Sequence, residues 1–119
     1  HYQIHNAQDK LVRVTSGRVY DVIVDLRKDS NTFGKVFGLE LSAENKKQLF
    51  VPKGFAHGFL VLSDFVDFQY KTSDYYYPEH ERVLLWNCKK ININWPTQRP
   101  ILNERDRNGL PFEKSDFFE

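Results

Sequence analysis

The chain has 119 residues, too few for a second hydrophobic core, so we expect a single domain spanning residues 1–119. Lysine and arginine number 17 against 16 aspartate and glutamate, and this near balance gives no basis for binding nucleic acid or a membrane surface through overall charge. No stretch approaches the ~20 apolar residues of a membrane span, which predicts a soluble globular protein. Cys88 is the only cysteine, which excludes an internal disulfide and fits a reducing cytoplasm.

The hydrophobic periodicity along the chain is that of β-strands. Residues 10–14 alternate in polarity, and in residues 19–26 apolar side chains alternate with Asp21 and Asp25. The sequence TSGR between them predicts a tight turn, and therefore a hairpin with one buried face. Further strands are predicted at residues 36–41, 48–51, 56–62, 65–71 and 82–86, with turn-forming residues between them. Short strands at this spacing predict an all-β sandwich or barrel.

Helical signals are scarce and lie near the C-terminus. A short helical turn is predicted at residues 103–106, where Asn103 can cap the exposed backbone N–H groups. The terminal sequence EKSDFFE, with Phe117 and Phe118, is expected to fray because chain ends are rarely tied down.

Three strand positions place a titratable side chain on an apolar face. Lys10 alternates with valines, which fits either a lysine that reaches solvent from a strand end or one held at the mouth of a barrel. His57 and Tyr70 both alternate with bulky apolar residues. If residues 56–62 and 65–71 form a hairpin with an even-numbered loop, His57 and Tyr70 fall on one face of the sheet, whereas an odd-numbered loop separates them.

Residues 75–77 are three consecutive tyrosines with two possible interpretations. They can be ordinary core or lid material of a β-protein, or they can stack on a planar ring or cap a sugar.

Phosphate-binding glycine loops, the G-x-S-x-G and H-E-x-x-H motifs and paired cysteines are all missing from the sequence. No metal site is predicted, because the histidines lack the spacing of a ligand set: His1, His5, His57 and His80.

Five segments carry a specific pattern in a fixed order: HYQ, QDKLVRVTSGRVYDVIVDLRKDSNTFG, LSAENKKQLFVPKGFAHGFLVLSD, FQYKTSDYYYPEHE and INWP…PILNERD. In this pattern the chain resembles the dTDP-4-dehydrorhamnose 3,5-epimerase family nearly end to end. The spacing Pro52-x-Gly54-x-x-His57 also resembles the second signature of the cupin superfamily. The resemblance implies a cupin-type β jelly roll, or double-stranded β-helix, with a short C-terminal helical turn. The companion H-x-H motif is missing, as the metal-free chemistry of the family implies.

The resemblance implies a role for eight residues. His1 matches the general base, Asp106 the aspartate that orients it, and Tyr70 the proton donor. Lys10 and His57 match residues that line the sugar site near the keto oxygen. The remaining matches are Glu81 with a substrate-contacting glutamate, Tyr76 with the aromatic residue that stacks on thymine, and Arg105, which stands where the family commonly has lysine.

The implied chemistry suits these residue types. Inverting carbons 3 and 5 of a 4-keto sugar requires removing a proton next to a carbonyl and returning one to the opposite face. A neutral imidazole held by a carboxylate suits the first step, and the tyrosine supplies the second proton. Lys10 and His57 can offset the charge of the enolate oxygen. No cofactor is expected, because the ketone of the substrate accepts the electron pair.

The resemblance also bears on partners and alternatives. It implies a small-molecule dTDP-sugar substrate and a homodimer. Family members carry a segment before HYQ, so the chain, which opens at His1, is expected to be part of a longer enzyme. Related 3- or 5-epimerases and keto-sugar isomerases remain alternatives. So do a non-catalytic cupin that binds a nucleotide or glycan and a structural β-sandwich module. The presence of both acid–base residues and of the stacking Tyr76 favours the double epimerase. The non-catalytic cupin would be favoured by loss of the base, its aspartate or Tyr70, and all three are present.

Overall fold

The computed structural model describes residues 1–119. Strands and helices follow each other along the chain as β1 (Tyr2–Gln3), β2 (Lys10–Ser16), β3 (Arg18–Asp25), β4 (Val36–Ser42), β5 (Gln48–Val51), β6 (Phe55–Val61), β7 (Asp67–Thr72), a 3₁₀ helix (Pro78–His80), β8 (Glu81–Arg82), α1 (Glu104–Arg107) and a second 3₁₀ helix (Phe112–Lys114). No helix has the length and apolar character that crossing a membrane requires.

Two antiparallel three-stranded sheets form the body of the molecule. One sheet has the order β5-β2-β7 and the other β4-β3-β6, while β1 and β8 form a separate pair. Val12 and Val14 of the first sheet pack against Val19 and Leu41 of the second, which forms a core between the sheets. The all-β prediction is confirmed, and the predicted strands from 36–41 to 65–71 lie within two residues of the observed ones.

The predicted hairpin between residues 10–14 and 19–26 is wrong. β2 pairs with β5 and β7, whereas β3 pairs with β4 and β6, so the turn between them leads the chain from one sheet to the other. Gly17 makes this turn with a φ of +79°, and a Cβ there would lie 2.2 Å from the backbone oxygen of Phe65. Only glycine therefore fits the turn without strain.

β3 is buried on both faces, and the predicted single buried face is also wrong. Val19 packs in the core between the sheets. On the opposite face Val24 packs against Leu84 and Phe112 from the C-terminal third of the chain. Asp21 has the parity of Val19 and is fully buried between the sheets. An acidic residue on this strand therefore needs a partner inside the protein.

β6 and β7 lie in different sheets, so the predicted alternative of a hairpin between residues 56–62 and 65–71 does not occur. His57 and Tyr70 nevertheless face a common space between the sheets. Phe68 of β7 lies between them, with its ring centroid 6.2 Å from that of His57 and 6.1 Å from that of Tyr70.

The C-terminal third covers the outer face of the β4-β3-β6 sheet. The predicted strand at residues 82–86 is shorter than expected, because only Glu81–Arg82 forms a strand, paired with β1. The predicted helical turn is confirmed as α1, and the side chain of Asn103 accepts a hydrogen bond from the backbone N–H of Asp106 at 2.8 Å. This cap satisfies a donor that the first turn of a helix leaves free.

The predicted fraying of the C-terminal tail is wrong. Phe118 donates its backbone N–H to Leu26 and accepts a hydrogen bond from the backbone N–H of Lys28. Phe117 packs against Phe33, with ring centroids 5.1 Å apart. Both phenylalanines of the tail are therefore anchored in the fold.

Candidate active site

A cavity of about 820 Å³ lies where one end of the sandwich meets the C-terminal segment. The residues singled out by the family resemblance all line it: His1, Lys10, His57, Tyr70, Tyr76, Glu81, Arg105 and Asp106. They come from the residue before β1, from β2, β6, β7, β8 and α1, and from the loop that carries Tyr76. The fold therefore brings together side chains that are scattered over the whole sequence.

His1 lies between two carboxylates. Its Nδ1 is 2.6 Å from Oε1 of Glu81, and its Nε2 is 2.5 Å from Oδ1 of Asp106. The backbone of His1 also exchanges two 3.0 Å hydrogen bonds with that of His57 on β6. The imidazole is thus fixed both by its ring nitrogens and by the strand next to it.

The residues after His1 anchor it to the rest of the molecule. The buried Tyr2 donates its hydroxyl hydrogen to the backbone oxygen of Asp116 at 2.8 Å, and its ring contacts Phe118. Burial, together with the nearby charge of Asp116, raises the pKa of Tyr2 to about 12, so its hydroxyl group remains a donor. The C-terminal tail therefore holds the segment that carries the imidazole.

Glu81 links His1 to two residues at the exposed side of the cavity. Its second oxygen, Oε2, accepts hydrogen bonds from the Tyr76 hydroxyl at 2.5 Å and from Arg105 at 2.7 Å. Burial alone would raise the pKa of Glu81, but the hydrogen bonds from Tyr76 and His1 and the charges of His1 and Arg105 hold it below its usual range. Both oxygens thus contact protein groups, and the predicted contact of Glu81 with substrate remains a prediction.

Asp21 is a site residue that the sequence reasoning missed. Its two carboxylate oxygens lie 2.9 and 3.0 Å from Nε2 of His57, and Asp21 is fully buried. A usable signal was present: Val19 and Ile23 share the parity of Asp21, so the strand is apolar on both faces. An aspartate in such a strand is buried and requires a partner.

Lys10 extends from the start of β2 into the same region. Burial lowers the pKa of Lys10, and the negative charges of Glu81 and Asp21 offset part of this shift. The ammonium group therefore interacts electrostatically with a carboxylate from β8 and another from β3. A partly desolvated cation of this kind interacts more strongly with a nearby anion than one in water.

Tyr70 belongs to the β5-β2-β7 sheet, and His57 belongs to the β4-β3-β6 sheet. The backbone of His1 is bonded to the backbone of His57. The Tyr70 side chain is largely exposed, which leaves its hydroxyl available to a ligand. Below it, the rings of Phe68 and Phe59 stack with centroids 4.1 Å apart. This aromatic floor keeps the inner end of the cavity apolar.

The paired sheets, with a cavity at one end lined by an imidazole, a phenol and an ammonium group, define a cupin-type β jelly roll. Solved structures agree with this fold. The dTDP-6-deoxy-D-glucose-3,5-epimerase of Legionella pneumophila, in complex with dTDP-4-keto-L-rhamnose, superposes with a TM-score of 0.93 at 45% identity, over 97% of this chain and 62% of that one. The dTDP-4-dehydrorhamnose 3,5-epimerase of Elizabethkingia anophelis gives a TM-score of 0.94 at 46% identity, over 98% of this chain and 65% of that one.

Sequence comparison identifies the family. The profile described as dTDP-4-dehydrorhamnose 3,5-epimerase matches residues 1–114. The dTDP-4-dehydrorhamnose 3,5-epimerase of Pseudomonas aeruginosa is 56% identical over 119 residues, which cover 99% of this chain and 66% of that protein. The chain belongs to the dTDP-4-dehydrorhamnose 3,5-epimerase family, and it spans just under two thirds of the length of these relatives.

Proposed function

We propose that the chain carries the catalytic site of a dTDP-4-dehydrorhamnose 3,5-epimerase, which converts dTDP-4-dehydro-6-deoxyglucose to dTDP-4-dehydrorhamnose. The observation that carries this proposal is that His1 and Tyr70 line one cavity, with His1 bonded to Asp106 and, through its backbone, to β6, and Tyr70 on β7 of the other sheet. Membership of the family supports it further.

His1 is the proposed base. A neutral imidazole has one nitrogen that donates and one that accepts, so His1 with its Nε2–H on Asp106 has its electron pair at Nδ1. In the ligand-free chain Nδ1 contacts Glu81, and the proposed reaction begins when Nδ1 releases this contact to the sugar. That nitrogen takes the proton from carbon 3 of the sugar, and the electron pair of the C–H bond moves to the keto oxygen to form an enolate. Asp106 then stabilises the imidazolium, which makes the transfer easier.

Lys10 and His57 are the proposed partners of the enolate oxygen. Preorganised donors aimed at such an oxygen contribute about 3–4 kcal/mol each in a water-poor site. Lys10 remains close to Glu81 and Asp21, whose charges help to keep its ammonium group protonated despite burial. The ketone accepts the electron pair, so the proposed reaction includes no cofactor.

Tyr70 is the proposed proton donor. Its phenol returns a proton to carbon 3 from the face opposite His1, and the electron pair of the enolate forms the new C–H bond. His1 then loses its proton to solvent and Tyr70 regains one, after which the same sequence inverts carbon 5. A phenol is a weak acid, but the carbon acid that forms next to the ketone is weaker still.

The nucleotide end of the substrate is proposed to lie at the exposed side of the cavity. Tyr76 and the side chain of Arg105 are both more than half exposed there. Tyr76 is proposed to stack on the thymine ring and Arg105 to contact the nucleotide, as the family resemblance implies. A homodimer is part of the proposal on the same ground.

Solvent exchange tests the reaction directly. The chain is incubated with dTDP-4-dehydro-6-deoxyglucose in deuterated water, and proton NMR follows the signals of carbons 3 and 5. The double epimerase labels both positions and forms the rhamno product. Label at a single position would replace the proposal by a single epimerase. No label above the protein-free control would favour a non-catalytic binding protein.

His1→Asn is the matched control for this experiment. Asparagine keeps a polar side chain of similar size but has no basic nitrogen, so labelling at both carbons should fall to the protein-free rate. Labelling by this variant at the rate of the unmodified chain would contradict the assignment of His1 as the base.

A further inference from the structure

The two oxygens of the Glu81 carboxylate serve different partners. Oε1 contacts the imidazole of His1, while Oε2 accepts hydrogen bonds from the Tyr76 hydroxyl and the Arg105 guanidinium. A carboxylate is planar, so fixing one oxygen fixes the direction of the other. The groups that hold Oε2 therefore control where Oε1 meets the ring of His1.

The Tyr76 hydroxyl is well placed to hold this carboxylate. The loop that carries it is fastened on both sides: the side chain of Gln3 accepts a hydrogen bond from the backbone N–H of Tyr77 and donates one to the backbone oxygen of Tyr75. Gln3 is also the residue that pairs with Glu81 across β1 and β8. The hydroxyl and the carboxylate are thus held by one common residue.

The hydroxyl and the ring of Tyr76 have different surroundings. The hydroxyl bonds to Glu81 at 2.5 Å, and Arg105 donates to it at 3.1 Å. The residue as a whole remains 56% exposed, which leaves the ring free to stack on a ligand. One residue can therefore serve two separate purposes.

We infer that Tyr76 is a positioning residue for the base, and that its hydroxyl acts on His1 through Glu81. This inference rests on the proposed function, in which His1 takes the proton. The ring of Tyr76 then contributes to nucleotide binding, while its hydroxyl contributes to the chemical step. Removing the hydroxyl alone should slow the chemical step and leave nucleotide binding intact.

Tyr76→Phe tests this separation, with Tyr77→Phe as the matched control. Tyr77 lies in the same loop, but its hydroxyl has no hydrogen-bond partner in the chain and it does not line the cavity. Tyr76→Phe should lower kcat by roughly ten- to a hundredfold, the equivalent of one hydrogen bond to a charged group, with KM changed less than about threefold. Tyr77→Phe should leave both unchanged.

Two kinetic results would overturn the inference. Unchanged kcat in Tyr76→Phe would show that the hydroxyl does not act on the base. A raised KM with unchanged kcat would show that the hydroxyl contacts the substrate instead.

A measurement without substrate separates this inference from the proposed function. In the ligand-free chain labelled with ¹⁵N-histidine, the hydrogen that joins Nδ1 of His1 to Glu81 should give a slowly exchanging downfield NMR signal. In Tyr76→Phe the signal should broaden through faster exchange, whereas Tyr77→Phe should retain it. An equally sharp signal in Tyr76→Phe would overturn the inference even if the chain is active, and a broadened one would support it even if turnover is not detected.

Discussion

Replacing Asp21 by asparagine should affect both stability and catalysis, because its carboxylate has two neighbours of different kinds. It is bonded to the ring of His57 in the interior, and its negative charge raises the pKa of Lys10. Asp21→Asn keeps the shape of the side chain and removes only the charge. The two effects can therefore be measured in one variant.

The stability cost follows from the hydrogen bond. A bond to a charged group contributes about 1.5–3 kcal/mol, and a neutral amide can recover part of it, which leaves a loss of roughly 1–2 kcal/mol. For a domain of this size the loss corresponds to a Tm lowered by roughly 3–10 °C. Differential scanning calorimetry measures it. Asp29→Asn is the control, since Asp29 is exposed and forms no ion pair.

The catalytic effect follows from Lys10. The charge of Asp21 favours the protonated amine, so its removal should lower the pKa of Lys10 further. The amine then loses its proton at a lower pH, and the alkaline limb of the profile of kcat/KM against pH should move to lower pH. We expect kcat at neutral pH to fall about tenfold, since His57 is held less firmly. An alkaline limb and a kcat both identical to those of Asp29→Asn would refute this reasoning.

Two further substitutions test other parts of the account. Lys10→Ala should lower kcat by roughly a hundredfold or more, as expected for loss of one donor to the enolate oxygen. Circular dichroism should show an intact fold. An unchanged rate would contradict the proposed role of Lys10. Asp25→Asn should destabilise the fold by roughly 2–3 kcal/mol near neutral pH in urea unfolding, because the buried Asp25 accepts hydrogen bonds from Arg27, Ser30 and Thr32. Although burial opposes it, these bonds hold the pKa of Asp25 well below its usual range. The stabilisation is therefore fully present above about pH 4 and is lost as the pH falls towards the pKa of the folded state. The free energies of unfolding of the unmodified chain and of Asp25→Asn should converge in acid. A difference between them that does not depend on pH would contradict the role of the charge.

Local patterns located the six strands of the two main sheets but not the short β1-β8 pair, and they did not predict how the strands pair. Alternation in residues 10–14 and 19–26 indicates two strands, but it does not say whether they pair in a hairpin or lie in facing sheets. The choice depends on β5, β6 and β7, which follow much later in the chain. Jelly-roll pairing is non-local, and no short segment encodes it.

For the candidate site, the residues could be predicted but several of their contacts could not. The family resemblance named eight residues, and all of them line one cavity. The bond between Asp21 and His57, and that between His1 and Glu81, were not predicted, because each joins residues more than thirty positions apart. The tail was misjudged for a similar reason: Phe117 has its partner at Phe33, and the sequence of the tail gives no sign of it.

The most direct test of the central claim is solvent deuterium exchange by Tyr70→Phe. If base and acid are separate groups, this variant should still exchange the proton at carbon 3, because His1 is intact, while formation of the rhamno product falls by at least about a hundredfold. Product formation at the rate of the unmodified chain would contradict a division of labour between His1 and Tyr70.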